Sequence, residues 1–246
     1  MKTFVNIWCA VTLATALIAG CGTASKQPPT PVHTYRIDKT TESSTVDGRL
    51  EEAFWKSAAA MNGFRIDADP AKTPGTSTIV RVVYSEKALM VAFECTEPEI
   101  GAVKTGAQDG AALAGDNCEL LVFSRPETPY YSPYLQRLDY MNANDFVRTQ
   151  RRFLVDPKGA RIDSNIYKTG PHSPYITDDT WEGAWEGAAS ASGKGYTVEM
   201  AIPWDTIGGL PGQGHDFRLH FVRRRSAGGG EIQTFSWCKN ENLYAP

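Results

Sequence analysis

Histidine occurs at four scattered positions: 33, 172, 215 and 220. There is no Gly-x-Ser-x-Gly, no HExxH and no phosphate-cradling glycine loop, so the common signatures of hydrolases, metalloproteases and NTPases are missing. A glycosidase's paired carboxylates can be neighbours in space alone, but no acid pair stands out. The chemistry on offer is recognition, and the chain reads as a protein that is not an enzyme. Arg223-Arg224-Arg225 and the group Arg148, Arg151 and Arg152 could grip an acidic sugar, because the guanidinium fork matches a carboxylate. They could equally be solvated faces with local acidic partners. Asp67, Asp69, Asp178 and Asp179 could offer oxygen ligands to calcium, without EF-hand spacing, or could simply form turns. No other cofactor is indicated. Trp55 reads as a core plug. Trp181 and Trp185, four apart in an extended run, share a face and read as core packing. Glu199 faces away from Tyr196, Val198 and Met200, as an exposed residue or as a partner for an arginine of the 223–225 run.

Cysteine chemistry depends on the N-terminus. Lys2 is followed by an apolar, uncharged stretch from Phe4 to Ile18, too short for a comfortable membrane span and suited to a secretory leader. It ends Leu17-Ile18-Ala19-Gly20-Cys21, which resembles the bacterial lipobox. That resemblance implies cleavage before Cys21 and acylation of its thiol, palmitate included. Gly22, rather than Asp, points to the outer membrane, on its periplasmic or surface face. The expected organisation is a lipoprotein signal peptide at 1–20, an acylated Pro/Ser/Thr-rich tether at 21–40 and one folded domain at 41–246. The partners are then a membrane, through the lipid, and whatever the domain binds. Losing the leader removes Cys9 and assigns Cys21 to lipid. Cys95, Cys118 and Cys238 remain, an odd number that allows at most one disulfide.

The elements that must position these side chains are strands. The 246 residues carry 25 Lys+Arg and 28 Asp+Glu. Without Lys2 the balance is 24 to 28, net −4, which leaves no basic footprint for nucleic acid. With 22 Gly and 15 Pro, a helical bundle is disfavoured. Runs at 77–84, 88–95, 119–123, 151–155, 160–163, 181–189, 196–202, 217–223 and 234–238 read as strands. Tyr196/Val198/Met200 and Leu219/Phe221/Arg223 each share a face by alternation. Residues 51–58 suit one short helix, anchored by Phe54 and Trp55. The fold class is all-β: a two-sheet antiparallel β-sandwich of jelly-roll type with a short helix near the start.

The order of motifs resembles the family 9 carbohydrate-binding modules and their DOMON-like relatives. The matching segments are Val46-Asp47-Gly48 through Phe54-Trp55, Ala92 to Cys95 with Glu97-Pro98, and Asp116-Asn117-Cys118-Glu119. They continue with Phe153 through Pro157, Gly195-Tyr196 through Pro203-Trp204, Phe221-x-Arg223 and Ser236-Trp237. The resemblance implies a non-catalytic module that binds an oligo- or polysaccharide. It implies Glu119, Arg137, Asp139 and Asn142 as the polar side of a cleft. Tyr244 and Trp237 would offer stacking rings, with core packing open as an alternative for Trp237. Leu113 stands where the family carries its first clamp tryptophan, and Tyr244 near the second, so the sugar is not specified. Some DOMON-like relatives hold haem b, for which Met141, Met200 and His220 could be axial ligands. A surface scaffold binding another protein is a third reading.

Overall fold

The computed structural model describes residues 3–7, 33–69, 71, 74–106, 115–124, 149–168, 175–209, 218–226 and 232–237. In chain order the strands are β1 (Thr3–Ile7), β2 (His33–Lys39), β3 (Arg65–Ile66), β4 (Thr78–Tyr84), β5 (Ala88–Thr96), β6 (Asn117–Ser124) and β7 (Thr149–Val155). They continue as β8 (Arg161–Lys168), β9 (Tyr175–Asp178), β10 (Glu186–Ser192), β11 (Gly195–Pro203), β12 (Arg218–Arg225) and β13 (Gln233–Ser236), and one short helix, α1, spans Ala53–Ser57. Six strands form one sheet, ordered β1-β2-β4-β5-β11-β10, and seven form the other, ordered β3-β13-β12-β6-β7-β8-β9. The pairings are antiparallel, apart from the parallel contact of Asp38 and Lys39 with Val83 and Tyr84. The expected two-sheet sandwich is what the chain forms.

Alternation decides which residues fill the space between the sheets. Val80, Val82, Val91, Phe93, Val198 and Met200 from one sheet meet Leu120, Val122, Phe153, Val155, Leu219 and Phe221 from the other in a single buried cluster. Each such side chain contributes roughly 1.5–3 kcal/mol by leaving water. The hairpins are closed by side chains as well as by backbone. Ser85 Oγ accepts from the amides of Lys87 and Ala88, both at 3.1 Å, between β4 and β5. Asp156 Oδ1 accepts from Lys158 and Ala160 at 2.8 and 2.9 Å, between β7 and β8, as Asx turns do.

Two expectations shift. The strand read at 181–189 begins only at Glu186, because Trp181 to Trp185 are held by tertiary bonds instead of a ladder. Gly183 N donates to Asp163 Oδ2 at 2.5 Å and Thr206 Oγ1 to the Ala184 carbonyl at 2.6 Å. The two indoles still pack inward, their centroids 6.1 and 5.2 Å from that of Phe153. β1 falls inside the stretch read as a leader and β2 inside the stretch 21–40 read as a tether, and the two pair from Thr3↔Ile37 to Ile7↔His33. Cleavage before Cys21 would remove β1 and leave β2 as the sheet edge.

Candidate functional site

The sequence alternates polar and apolar on β6, β7 and β12, so each strand sends one set of side chains to the core and another to the far face of the seven-stranded sheet. Opposite Cys118, Leu120 and Val122 point Asn117, Glu119, Leu121 and Phe123. Cross-strand register aligns His220, Leu121, Arg152 and Ser164 in one row over β12, β6, β7 and β8. A neighbouring row holds Arg218, Phe123, Gln150 and Ile166. Leu121, Ile166, Val222 and Phe123 form one small apolar cluster on this face, and Leu154 with Ile162 another. Polar side chains surround them.

These polar groups are buried. Glu119 is 1% exposed, Gln150 0% and His220 6%. Glu119 Oε1 lies 2.7 Å from Arg224 Nε. Arg152 donates from Nε to Ser164 Oγ at 2.9 Å and pairs through Nη2 with Asp179 at 3.1 Å. Neither amide atom of Gln150 has a hydrogen-bond partner, nor has His220 Nε2, among the described residues. A buried polar group left this way costs about 1–3 kcal/mol. Burial also holds the His220 imidazole down at about 4, so at neutral pH it is an uncharged ring with a free nitrogen. A neutral imidazole, an amide and a carboxylate–guanidinium pair can exchange hydrogen bonds with hydroxyl groups in both directions. Ser164 bonds to Arg152, which cannot serve as a base, so it is not set up as a nucleophile.

Glu119 stands on this face. Arg137, Asp139 and Asn142 lie in the β6–β7 connection and, with Tyr244, Leu113, Met141, Cys21, Cys238 and Arg148, outside the described residues. Trp237 is in the core: its indole donates to the Asn62 carbonyl at 2.9 Å and its ring meets Tyr35 and Phe221 edge-on. It therefore offers no stacking face. Trp55 is buried in a satellite cluster with Val83, Met90 and Ala92, as a plug. Met200 belongs to the core and His220 to the far face, so these two cannot ligate one haem iron.

The arginine run is not free for an acidic ligand. Arg223 is fully buried and donates to the Ser77 and Thr96 carbonyls and to Glu97 Oε2, at 3.2, 3.0 and 3.0 Å. Arg225 grips both oxygens of Glu97, at 2.7 and 2.9 Å. Glu199 is neither exposed nor bonded to that run: it accepts from Trp55 Nε1, Ser44 Oγ and the amides of Asp47 and Gly48. Asp67 accepts from Ser236, Asp178 from Thr180, and Asp179 pairs with Arg152. Among the described residues no three His, Cys, Asp or Glu gather as a metal site.

Gln150 was not anticipated in a binding role; the sequence offers Arg152 and Arg224 as possible holders of an acidic sugar, and His220 only as a possible haem ligand. Period-two reading outward from Phe153 and Phe221 puts them opposite the core, and that signal was available.

A family model described as carbohydrate family 9 binding domain-like matches residues 46–242. The chain belongs to that family. Among solved structures, the fold is similar to a carbohydrate binding module family 9 from Caldicellulosiruptor kristjanssonii in complex with cellotriose. Identity is 13%, coverage 85% of this chain and 87% of that one, and the TM-score 0.52. The same module in complex with glucose gives 13%, 85%, 88% and 0.52. A putative carbohydrate-binding protein from Bacteroides uniformis ATCC 8492 gives 9% identity, 84% and 90% coverage, and a TM-score of 0.55. No curated protein matches the chain.

Proposed function

We propose that this carbohydrate family 9-type domain binds carbohydrate on the far face of its seven-stranded sheet, without transforming it. The observation that carries the reading is the buried amide of Gln150, unpartnered among the described residues, on the same sheet face as Arg152, His220 and Glu119. A fold that buries polar atoms without partners does so where a ligand or ordered water completes them. The ligand is a neutral sugar: Arg152, Arg223, Arg224 and Arg225 are already engaged by Asp179, Glu97 and Glu119. Similar modules solved with cellotriose and glucose support that choice. The family resemblance adds Arg137, Asp139 and Asn142 as polar contacts, and Tyr244 as a stacking ring worth on the order of 1 kcal/mol. The protein is anchored through acylated Cys21, in the outer membrane.

Glycan-array screening and calorimetric titration of the detergent-solubilised chain test the binding. Neutral gluco-oligosaccharides are expected to bind at micromolar or weaker affinity. No glycan binding, or binding untouched by Gln150→Leu, refutes the site. Cys21→Ala tests the anchor, and a variant that still partitions with membranes refutes it.

A further inference from the structure

Cys95, on β5, and Cys118, on β6, project from opposite sheets into the sandwich interior. Their Sγ atoms lie 3.6 Å apart, and both are buried and unbonded to any other cysteine in this structure. We propose that Cys95 and Cys118 are a disulfide pair that joins the two sheets in the exported protein. Export is part of the functional reading above; the pairing itself rests on the geometry.

Four observations support it. The sulfurs need to close by only about 1.5 Å to reach a bond of roughly 2.05 Å. The strands that carry them are fixed by full ladders on both sides, so the approach is built into the fold. Arg223 lies fully buried, its guanidinium 5.4 Å from the Tyr196 ring. The Cys118 thiol lies 4.0 Å from the Tyr196 hydroxyl. Burial opposes ionisation of the Cys95 thiol, yet the hydrogen bond from Cys118 and the Arg223 charge together hold it below its ordinary value. Cys118 is pushed up by burial and by Cys95.

The chemistry balances with a disulfide donor as oxidant. During folding, Cys95 thiolate attacks one sulfur of the donor and expels the other as a thiolate. Cys118, giving up its proton, then attacks Cys95 Sγ in the mixed disulfide and expels the second donor thiolate. Both expelled thiolates take up the protons that the two cysteines released. Two protein thiols are oxidised and one donor disulfide is reduced to two thiols.

The test has two arms, both read by mass spectrometry of unreduced peptides after alkylation. The full chain is refolded from denaturant in a mixture of reduced and oxidised glutathione. A cross-linked Cys95–Cys118 peptide, 2 Da lighter than its reduced form, is expected. A folded product with both thiols alkylated, or a link from either to Cys238, overturns the pairing. The oxidised chain should melt about 10 °C above the reduced one, and Cys95→Ala should abolish that gap. The second arm uses the protein taken from cells. The same cross-link with Cys238 as the single alkylated thiol is expected. Alkylated Cys9 and Cys21 there, beside a link that still forms in glutathione, overturn the export reading and leave the pairing standing.

Discussion

Each sheet buries a glutamate on its outer side, and the two are treated differently. On the six-stranded sheet, Glu199 receives four donors: Ser44 Oγ at 3.0 Å, Trp55 Nε1 at 3.1 Å, and the amides of Asp47 and Gly48 at 3.3 Å. On the seven-stranded sheet, Glu119 meets Arg224 at 2.7 Å, and on the same face Gln150 and His220 keep atoms without a hydrogen-bond partner among the described residues. The first cluster is closed, with each donor aimed at one carboxylate, and it pins the 44–55 segment to β11. The second is open: it carries the desolvation cost of several polar groups without their bonds. Equal burial with unequal satisfaction separates an internal lock from a surface prepared for something else.

The largest effect expected from this contrast lies at the lock. Glu199→Ala leaves the indole N–H and two backbone amides buried without an acceptor and should cost about 3 kcal/mol. Calorimetry should show Tm falling by about 10 °C. The companion change Gly48→Ala acts on the same lock from the other end. Gly48 has φ +79°, and a Cβ there would sit 2.5 Å from the Ala189 carbonyl carbon. It should lose about 2–3 kcal/mol through strain and backbone displacement. If either variant melts like the parent, the segment is not held by this carboxylate.

Acid should separate the two sides next. His220 is held at about 4 by burial, below its ordinary 6.5. The unfolded chain therefore binds a proton that the folded chain refuses between those values, and stability falls as pH drops from about 6.5 to about 4. The full difference is on the order of 3 kcal/mol. Glu199 works in the opposite sense. Burial raises its carboxyl despite the bonds from Trp55 and Ser44, so its contribution is present in acid and is lost as pH rises above the usual carboxylate value. Denaturant melts at pH 7, 5.5 and 4.5 should show His220→Leu flattening the acid loss. An unchanged slope would mean that the imidazole is not the group responsible.

Much of the sandwich was legible because its strands alternate β-branched and aromatic residues cleanly: β4, β5, β11 and β12 lie within a residue or two of where the sequence puts them. β3 and β9 escaped, being two and four residues long, with too few positions to show a period; β1 and β2 escaped because their residues read as leader and tether. The site was half legible. Glu119 was reachable through the Asp116-Asn117-Cys118-Glu119 motif, and Gln150 through its phase on β7. The role of the arginine run was not, since Arg223 and Glu97 are 126 residues apart. Nor was that of Glu199, which is 144 residues from Trp55. Long-range partners decide whether a charged side chain is a lock or a lure, and local sequence does not carry them.

The smallest change in stability belongs to Gln150, where the largest change in binding is expected. Replacing it with Leu removes two unsatisfied amide atoms and keeps most of the volume, beside the apolar Phe123 and Ile166. Folding stability should stay level or rise by up to about 1 kcal/mol. At Glu199 the same logic gives the reverse, because there the partners exist and would be orphaned. Affinity for gluco-oligosaccharide should fall at least tenfold with Gln150→Leu, about 1.4 kcal/mol, since the amide's bonds are made only when the ligand is present. Thermal melts with and without sugar read both quantities at once. A variant that loses stability while binding normally would place Gln150 among the structural locks and dissolve the contrast between the two faces.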